Sequence, residues 1–260
     1  MGIELGTFLS LFFTAIGIGF LASILGVGGG IFMVPLLSLG GFVGTMPEAV
    51  GTSIAAIVFT SVSSSIAYYR RRAIDLRIGL LFMPTAIGGI LLGAQLTQII
   101  DPRWLMVSFG VFLLYPIGLM ITGKTPKEIR LSFKGETLGV RIYVFAAVLG
   151  LIAGVFSGMF GIGGGTVFVP SLAVFLGLDI VTAVATSLFV MIPAAIIGSI
   201  KHWLQGNLRV ELAIPLILGI IIGTQIGPRI GSRIPKRRLR QLFGVVLLYA
   251  AVNMIVKGLR

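Results

Sequence analysis

Gly26-Val27-Gly28-Gly29-Gly30-Ile31-Phe32-Met33-Val34-Pro35 and Gly161-Ile162-Gly163-Gly164-Gly165-Thr166-Val167-Phe168-Val169-Pro170 are two copies of one stretch, 135 positions apart. Each follows a long apolar segment and precedes a short one. The pattern reads as a helix that ends in glycine, a length of nearly bare backbone, then the start of a second helix. A helix N-terminus presents N–H groups without partners and a partial positive charge, which together suit an anion. The competing reading is that glycine here only lets helices approach closely, as small residues do in membranes. Recurrence at matching positions favours a shared role for Gly28, Gly29, Gly30 and Ile31 with Gly163, Gly164, Gly165 and Thr166.

Working outward, the composition sets the class. Hydrophobic residues make up 57% of the 260 and charged residues 11%, against about a quarter charged in soluble domains. The chain reads as an all-α polytopic membrane protein with the lipid bilayer as a partner. There are no cysteines, one histidine (His202) and eight acidic residues, so a metal site, a bound cofactor or an acid–base enzyme has little to be built from. The net charge of +12 does not point to nucleic acid, because the basic residues lie between apolar spans, where they act as orientation signals. The opening Met1-Gly2-Ile3-Glu4 lacks a basic leader region, so the first apolar segment is read as a retained span.

A crossing helix needs about 20 apolar residues. The first half offers such segments near Thr7–Leu25, Ala49–Tyr69, Ile78–Ile100 and Trp104–Thr122, with an interrupted stretch at Ile31–Pro47. The second offers Arg141–Phe160, Ile180–Trp203, Val210–Ile226 and Leu239–Val256, with a shorter interrupted stretch at Thr166–Leu178. Further matches tie the halves together. Gly51-Thr52-Ser53 pairs with Ala185-Thr186-Ser187, and Gly93-Ala94-Gln95 with Gly223-Thr224-Gln225. Phe109-Gly110-Val111 pairs with Phe243-Gly244-Val245. The chain is therefore divided into a first repeat at 1–122, a polar and cytoplasmic linker at 123–140, and a second repeat at 141–260. Each repeat carries about four spans and one broken or short helix. Transporters built from such repeats bind substrate at the repeat interface, on discontinuous helices.

The relative orientation depends on whether the interrupted stretches cross. If they only dip in, the halves are parallel and Lys plus Arg divide 13 against 7. If they cross, the halves are inverted and the division is 15 against 5. The positive-inside rule favours the inverted arrangement, with both termini outside.

Glu48, Asp75, Asp101, Asp179 and Glu211 all fall near span ends, so no mid-span carboxylate relay is visible. His202, Tyr68, Tyr69, Trp104 and Trp203 read as interfacial residues, and Arg70-Arg71-Arg72 and Lys236-Arg237-Arg238 as orientation determinants. The spans carry neutral donors instead: Thr52, Ser53, Thr186 and Ser187 just inside two spans, and Gln95 and Gln225 on equivalent ones. Hydroxyls and amides can hold an oxyanion without placing fixed charge in lipid. They can equally serve as glue between helices.

The duplicated G-x-G-G-G-x-x-x-x-P, each copy followed by Thr-Ser near the start of the next span, resembles the sulfite exporter TauE/SafE family over essentially the whole chain. The resemblance implies a multi-pass transporter of the bacterial inner membrane that carries a small sulfur-containing anion, such as sulfite or an organosulfonate. It agrees with the reading from the residues themselves, in which the anion is bound between the repeats at the paired glycine breaks. Export driven by membrane potential and anion gradient is the expectation; a proton-coupled importer of a small organic carboxylate or sulfonate is the alternative. A homo-oligomer is compatible with either.

Overall fold

A computed structural model of the chain describes residues 4–122, 140–176, 178–230 and 236–259. Every element among them is an α-helix: α1 (Leu5–Leu25), α2 (Gly30–Leu39), α3 (Met46–Tyr69), α4 (Leu76–Ile99), α5 (Pro102–Thr122), α6 (Val140–Phe160), α7 (Gly165–Phe175), α8 (Ile180–Leu204), α9 (Val210–Ile230) and α10 (Lys236–Leu259). Five helices (α1, α3, α4, α8 and α9) contain described windows long and apolar enough to cross a bilayer. The protein is a multi-pass membrane protein. The polar segment read as a boundary lies outside the described residues, apart from Val140 at the start of α6. Lys236, Arg237 and Arg238 fall in the first turn of α10; their side chains also lie outside the described set.

The short helices are α2, with 10 residues, and α7, with 11. At 1.5 Å per residue each is about 15 Å long, half the thickness of the hydrocarbon core. Within the interrupted stretch Ile31–Pro47 the chain breaks at Gly40–Thr45, while Pro35 lies inside α2 and Pro170 inside α7. In so short a helix the missing proline N–H removes a single ladder bond.

Three of the five acidic residues at span ends start helices. Asp75 accepts from the N–H groups of Arg77 and Ile78 at 3.0 and 3.1 Å, Asp101 from Arg103 at 2.8 Å, and Asp179 from Val181 and Thr182 at 3.0 and 3.1 Å. Thr45 does the same for Glu48 at the head of α3. Each cap satisfies donors that a helix leaves open at its N-terminus and is worth about 1 kcal/mol.

Helices pack in exchanged pairs. The row Gly219, Gly223, Gly227 of α9 lies against Phe12, Ile16 and Phe20 of α1, so these two run in the same direction. Gly89 and Gly93 of α4 meet Leu151 and Val155 of α6, also running alike, and Gly154 and Gly158 of α6 return the contact. Contact is close: a methyl on Gly223 would sit 2.1 Å from the Ile16 carbonyl oxygen, and one on Gly93 2.2 Å from that of Val155. This is the small-residue spacing by which membrane helices approach. By contrast α5 and α10 run oppositely, with Gly110 beside Ala251 and Ile255, and Gly258 beside Arg103 and Val107. The pair α3 and α8 also runs oppositely: Gly51 near the start of α3 touches His202 at the far end of α8 and Asn207 in the loop just beyond it. These two are the most enclosed of the five spans above, and they flank the glycine breaks.

Candidate functional site

The two glycine runs cross each other in the interior. A Cβ placed on Gly30 would lie 1.8 Å from the Gly161 carbonyl oxygen, and one on Gly165 would lie 2.0 Å from that of Gly26. Nothing larger than hydrogen fits at either position. Gly26, Gly28 and Gly29 have φ of 70°, 75° and 89°, and Gly161, Gly163 and Gly164 have 65°, 77° and 71°. Side chains are strained in that left-handed region. The chain thus leaves α1, reverses within four residues and enters α2. Its counterpart leaves α6 and enters α7 by the same path.

The first turns that result are matched. Phe32 and Met33 donate to the Gly29 carbonyl at 3.0 Å each, and Val167 and Phe168 to that of Gly164 at 3.0 and 2.9 Å. The N–H groups of Gly30, Ile31, Gly165 and Thr166 precede those bonds and stand at the positive ends of two helices that begin side by side. Residues 26–35 and 161–166 are all buried. The Thr166 hydroxyl is buried with no hydrogen-bond partner. Ile31, its counterpart, is fully buried and apolar.

The four hydroxyls behind the breaks are bound across the repeats. Ser53 donates to the Gly161 carbonyl at 2.8 Å, and Ser187 to that of Gly26 at 3.3 Å. Thr52 accepts from the Arg209 N–H at 3.1 Å, and Thr186 from the Asp75 N–H at 3.0 Å. Each half therefore holds the other's glycine turn and the other's loop, which is the helix-joining role set against substrate contact above. A salt bridge from Arg209 to Glu48 at 2.6 Å reinforces one side.

The glutamines do not form a pair. Gln225 donates to the Ser63 hydroxyl at 2.8 Å, where Thr224 also donates at 2.8 Å. Gln95 is exposed on the outer face of α4. The matching partner for Gln95 would come from Ile197, 134 positions after Ser63, which offers no hydroxyl.

Two residues read as interfacial are internal. His202 is fully buried, its Nε2 3.0 Å from the Gly158 carbonyl, and Tyr68 is buried and donates to the Ser23 carbonyl at 2.8 Å. They are equivalent positions binding equivalent carbonyls, each tying a long helix to the end of the helix before its glycine turn. Tyr69, Trp104 and Trp203 are exposed as expected.

Ile57 and Met191 were not singled out from the sequence, yet they close the crossing. A Cβ on Gly28 or on Gly163 would meet the Met191 methyl at 2.4 Å, with Ile57 at 3.5 or 3.1 Å. Their signal is positional only: they are 134 apart, the same offset as Thr52 and Thr186.

Chemically the crossing offers backbone N–H groups, one unpaired hydroxyl and an apolar wall, and no charge. Among the described residues no cluster of three His, Asp or Glu could hold a metal.

Comparison with known proteins adds an independent line. Residues 11–254 match the family model described as Sulfite exporter TauE/SafE. The chain is 30% identical to the Probable membrane transporter protein YunE of Bacillus subtilis, the alignment covering 73% of this chain and 76% of the relative. It is 34% identical to the Probable membrane transporter protein YdhB of the same organism, with the same coverage. The Probable membrane transporter protein MJ0441 of Methanocaldococcus jannaschii is 29% identical, over 73% of this chain and 70% of the relative. No solved structure matches.

Proposed function

This chain belongs to the sulfite exporter TauE/SafE family, whose members are membrane transporters rather than enzymes, and from that premise we propose that it carries a small sulfur-containing oxyanion, sulfite or an organosulfonate, outward across the inner membrane. The anion is held between the repeats at the start of α2 and α7, by the N–H groups of Gly30, Ile31, Gly165 and Thr166. The observation that carries the reading is Thr166, a buried hydroxyl without a partner in the first turn of a helix whose N-terminus meets that of its counterpart. Unpaired buried donors call for an acceptor, and an oxyanion supplies several.

Ser53, Ser187, Thr52 and Thr186 act in this scheme by fixing the two turns. Gln225 and Ser63 lie further along α9 and α3, and Gln95 belongs to the outer face. The repeats are inverted across the bilayer. In support, the equivalent helices α5 and α10 run in opposite directions, as do α3 and α8, and Lys plus Arg divide 15 against 5 in that arrangement. Both termini are then outside, and Arg70–Arg72 and the polar linker inside.

Energetics favour exit. A potential that is negative inside contributes about 2.3 kcal/mol per charge per 100 mV to an outgoing anion. The described spans hold no acidic residue away from their ends, so the voltage and anion gradients drive the cycle. The test is efflux of radiolabelled sulfite from proteoliposomes under an imposed potassium diffusion potential. Efflux rises with inside-negative voltage, and Thr166→Val slows it by about tenfold, one hydrogen bond to a charged ligand. Efflux that follows only a pH gradient and ignores voltage overturns the mechanism.

A further inference from the structure

Thr60-Ser61-Val62-Ser63-Ser64-Ser65 places five hydroxyls in two turns of α3, and all five are buried. Several buried hydroxyls elsewhere in this protein bond back to their own helix: Ser38 to the Val34 carbonyl, Ser53 to Val50, Thr97 to Ala94 and Ser187 to Val184. That is the ordinary way a helical serine is satisfied. Ser61, Ser64 and Ser65 depart from it. They are 0%, 0% and 5% exposed, and their hydroxyl oxygens have no partner.

The three are also aimed alike. Residues 57, 61, 64 and 68 repeat at four, three and four, so they share one face of α3, with Ser65 at its edge. At one end of that face Ile57 meets Gly28 and Gly163 at the crossing. At the other Tyr68 bonds the Ser23 carbonyl, one turn before the exposed Arg70, Arg71 and Arg72. Ser63, on the adjoining face, is already taken by Thr224 and Gln225. The second repeat keeps only one hydroxyl of the three: the positions equivalent to Ser61 and Ser64 are Ala195 and Gly198, and the one equivalent to Ser65 is Ser199, which is only half-buried. Both repeats share the crossing; the first alone has the track.

We propose that Ser61, Ser64 and Ser65 form a second binding station for a small oxyanion, between the central crossing and the end of the protein that carries Arg70–Arg72. This rests on the anion-transport reading above and extends it. Neutral hydroxyls donate to the anion in turn without trapping it by charge, while the arginines raise its local concentration at that mouth. Because the track exists in one repeat only, the two access routes to the crossing differ, and affinity from the Arg70–Arg72 side exceeds that from the other.

The chain has no cysteine, so single-cysteine variants report directly. In proteoliposomes Ser61→Cys and Ser64→Cys are reacted with an anionic, sulfonate-bearing methanethiosulfonate, with its cationic analogue, and with the anionic reagent in the presence of sulfoacetate. The control is Val62→Cys, on the exposed face of the same turn. Expected is labelling by the anionic reagent at least tenfold faster than at Val62→Cys, slower labelling by the cationic one, and protection by sulfoacetate. In parallel, the Ser61→Ala/Ser64→Ala/Ser65→Ala variant raises the apparent KM for sulfite about tenfold from the Arg70–Arg72 side alone, with an unchanged or higher thermal midpoint. Rates no faster than at Val62→Cys, or equal rates with both reagents, overturn the station. So does a triple variant that transports as the wild type does. Wild-type protein that moves no sulfite while the labelling bias persists refutes the sulfite reading and leaves the anion station standing.

Discussion

Gly30 is the position at which the crossing is most exposed to test. Its φ is not in the left-handed region, so Gly30→Ala adds a methyl without straining the backbone. The methyl would lie 1.8 Å from the Gly161 carbonyl oxygen and 2.7 Å from the Ile162 Cα. A relaxed C···O contact is about 3.3 Å, so the two runs must part by roughly 1.5 Å. Both neighbours are backbone atoms, and no rotamer change relieves the clash. Overpacking of this kind costs about 1–3 kcal/mol, and a rigid backbone contact belongs at the upper end. For a chain of this size about 3 kcal/mol lowers Tm by roughly 6–12 °C. Detergent-solubilised protein followed by tryptophan fluorescence reads the shift directly. Gly165→Ala, 2.0 Å from the Gly26 carbonyl oxygen, matches it. Gly17→Ala, which meets nothing within 4 Å, melts at or slightly above the wild-type midpoint, because alanine is the better helix former by about 1 kcal/mol. If Gly30→Ala and Gly165→Ala melt with Gly17→Ala, the glycine runs do not cross as described.

Other perturbations separate the remaining contacts. Ser53→Ala and Ser187→Ala each remove a cross-repeat hydrogen bond and lower stability by about 1 kcal/mol; equal unfolding midpoints in the single variants and the wild type would show that these bonds carry no weight. Arg209→Ala breaks the ion pair with Glu48, in which Arg209 is half exposed, so the loss is at most about 1 kcal/mol and vanishes in high salt. Asp179→Ala uncaps α8 at a cost of about 1 kcal/mol. The Thr182 hydroxyl, with the Thr182 and Val181 N–H groups, holds the Asp179 carboxyl below its ordinary 3.8. A carboxyl lowered in the folded state stabilises fully above its unfolded value and loses that contribution as pH falls through the folded one. The deficit of Asp179→Ala is therefore constant near neutrality and shrinks in acid below about pH 4, measured as Tm against pH. For the inverted arrangement, a protease acting from outside removes a C-terminal tag from intact cells; cleavage only after lysis sinks it.

What could be read from the sequence depended on how local the governing physics is. Helix number and limits follow from runs of about 20 apolar residues, and the structure moves those limits by a few residues. It adds that Asp75, Asp101 and Asp179, legible only as span-end residues, cap the helices that follow them. The break between α1 and α2 is legible because left-handed backbone demands glycine at Gly26, Gly28 and Gly29. Long-range partners are not local. Thr52 and Ser53 look the same on paper whether they face an anion or the carbonyls of Gly161's loop, since a hydroxyl suits either. Tyr68 and His202 look interfacial because they close apolar runs, yet tertiary packing buries both against carbonyls of α1 and α6. Gln95 and Gln225 sit at equivalent positions, but only Gln225 meets a serine on the neighbouring helix. The sequence alone settled a helical membrane protein with two matching glycine breaks, because spans and φ > 0 are properties of short segments. Only the tertiary structure decided that the breaks cross each other, that α1 lies with α9 and α4 with α6, and that three serines of α3 are left without partners. Those facts depend on which surfaces meet, and segments more than 100 residues apart carry no mark of their neighbours.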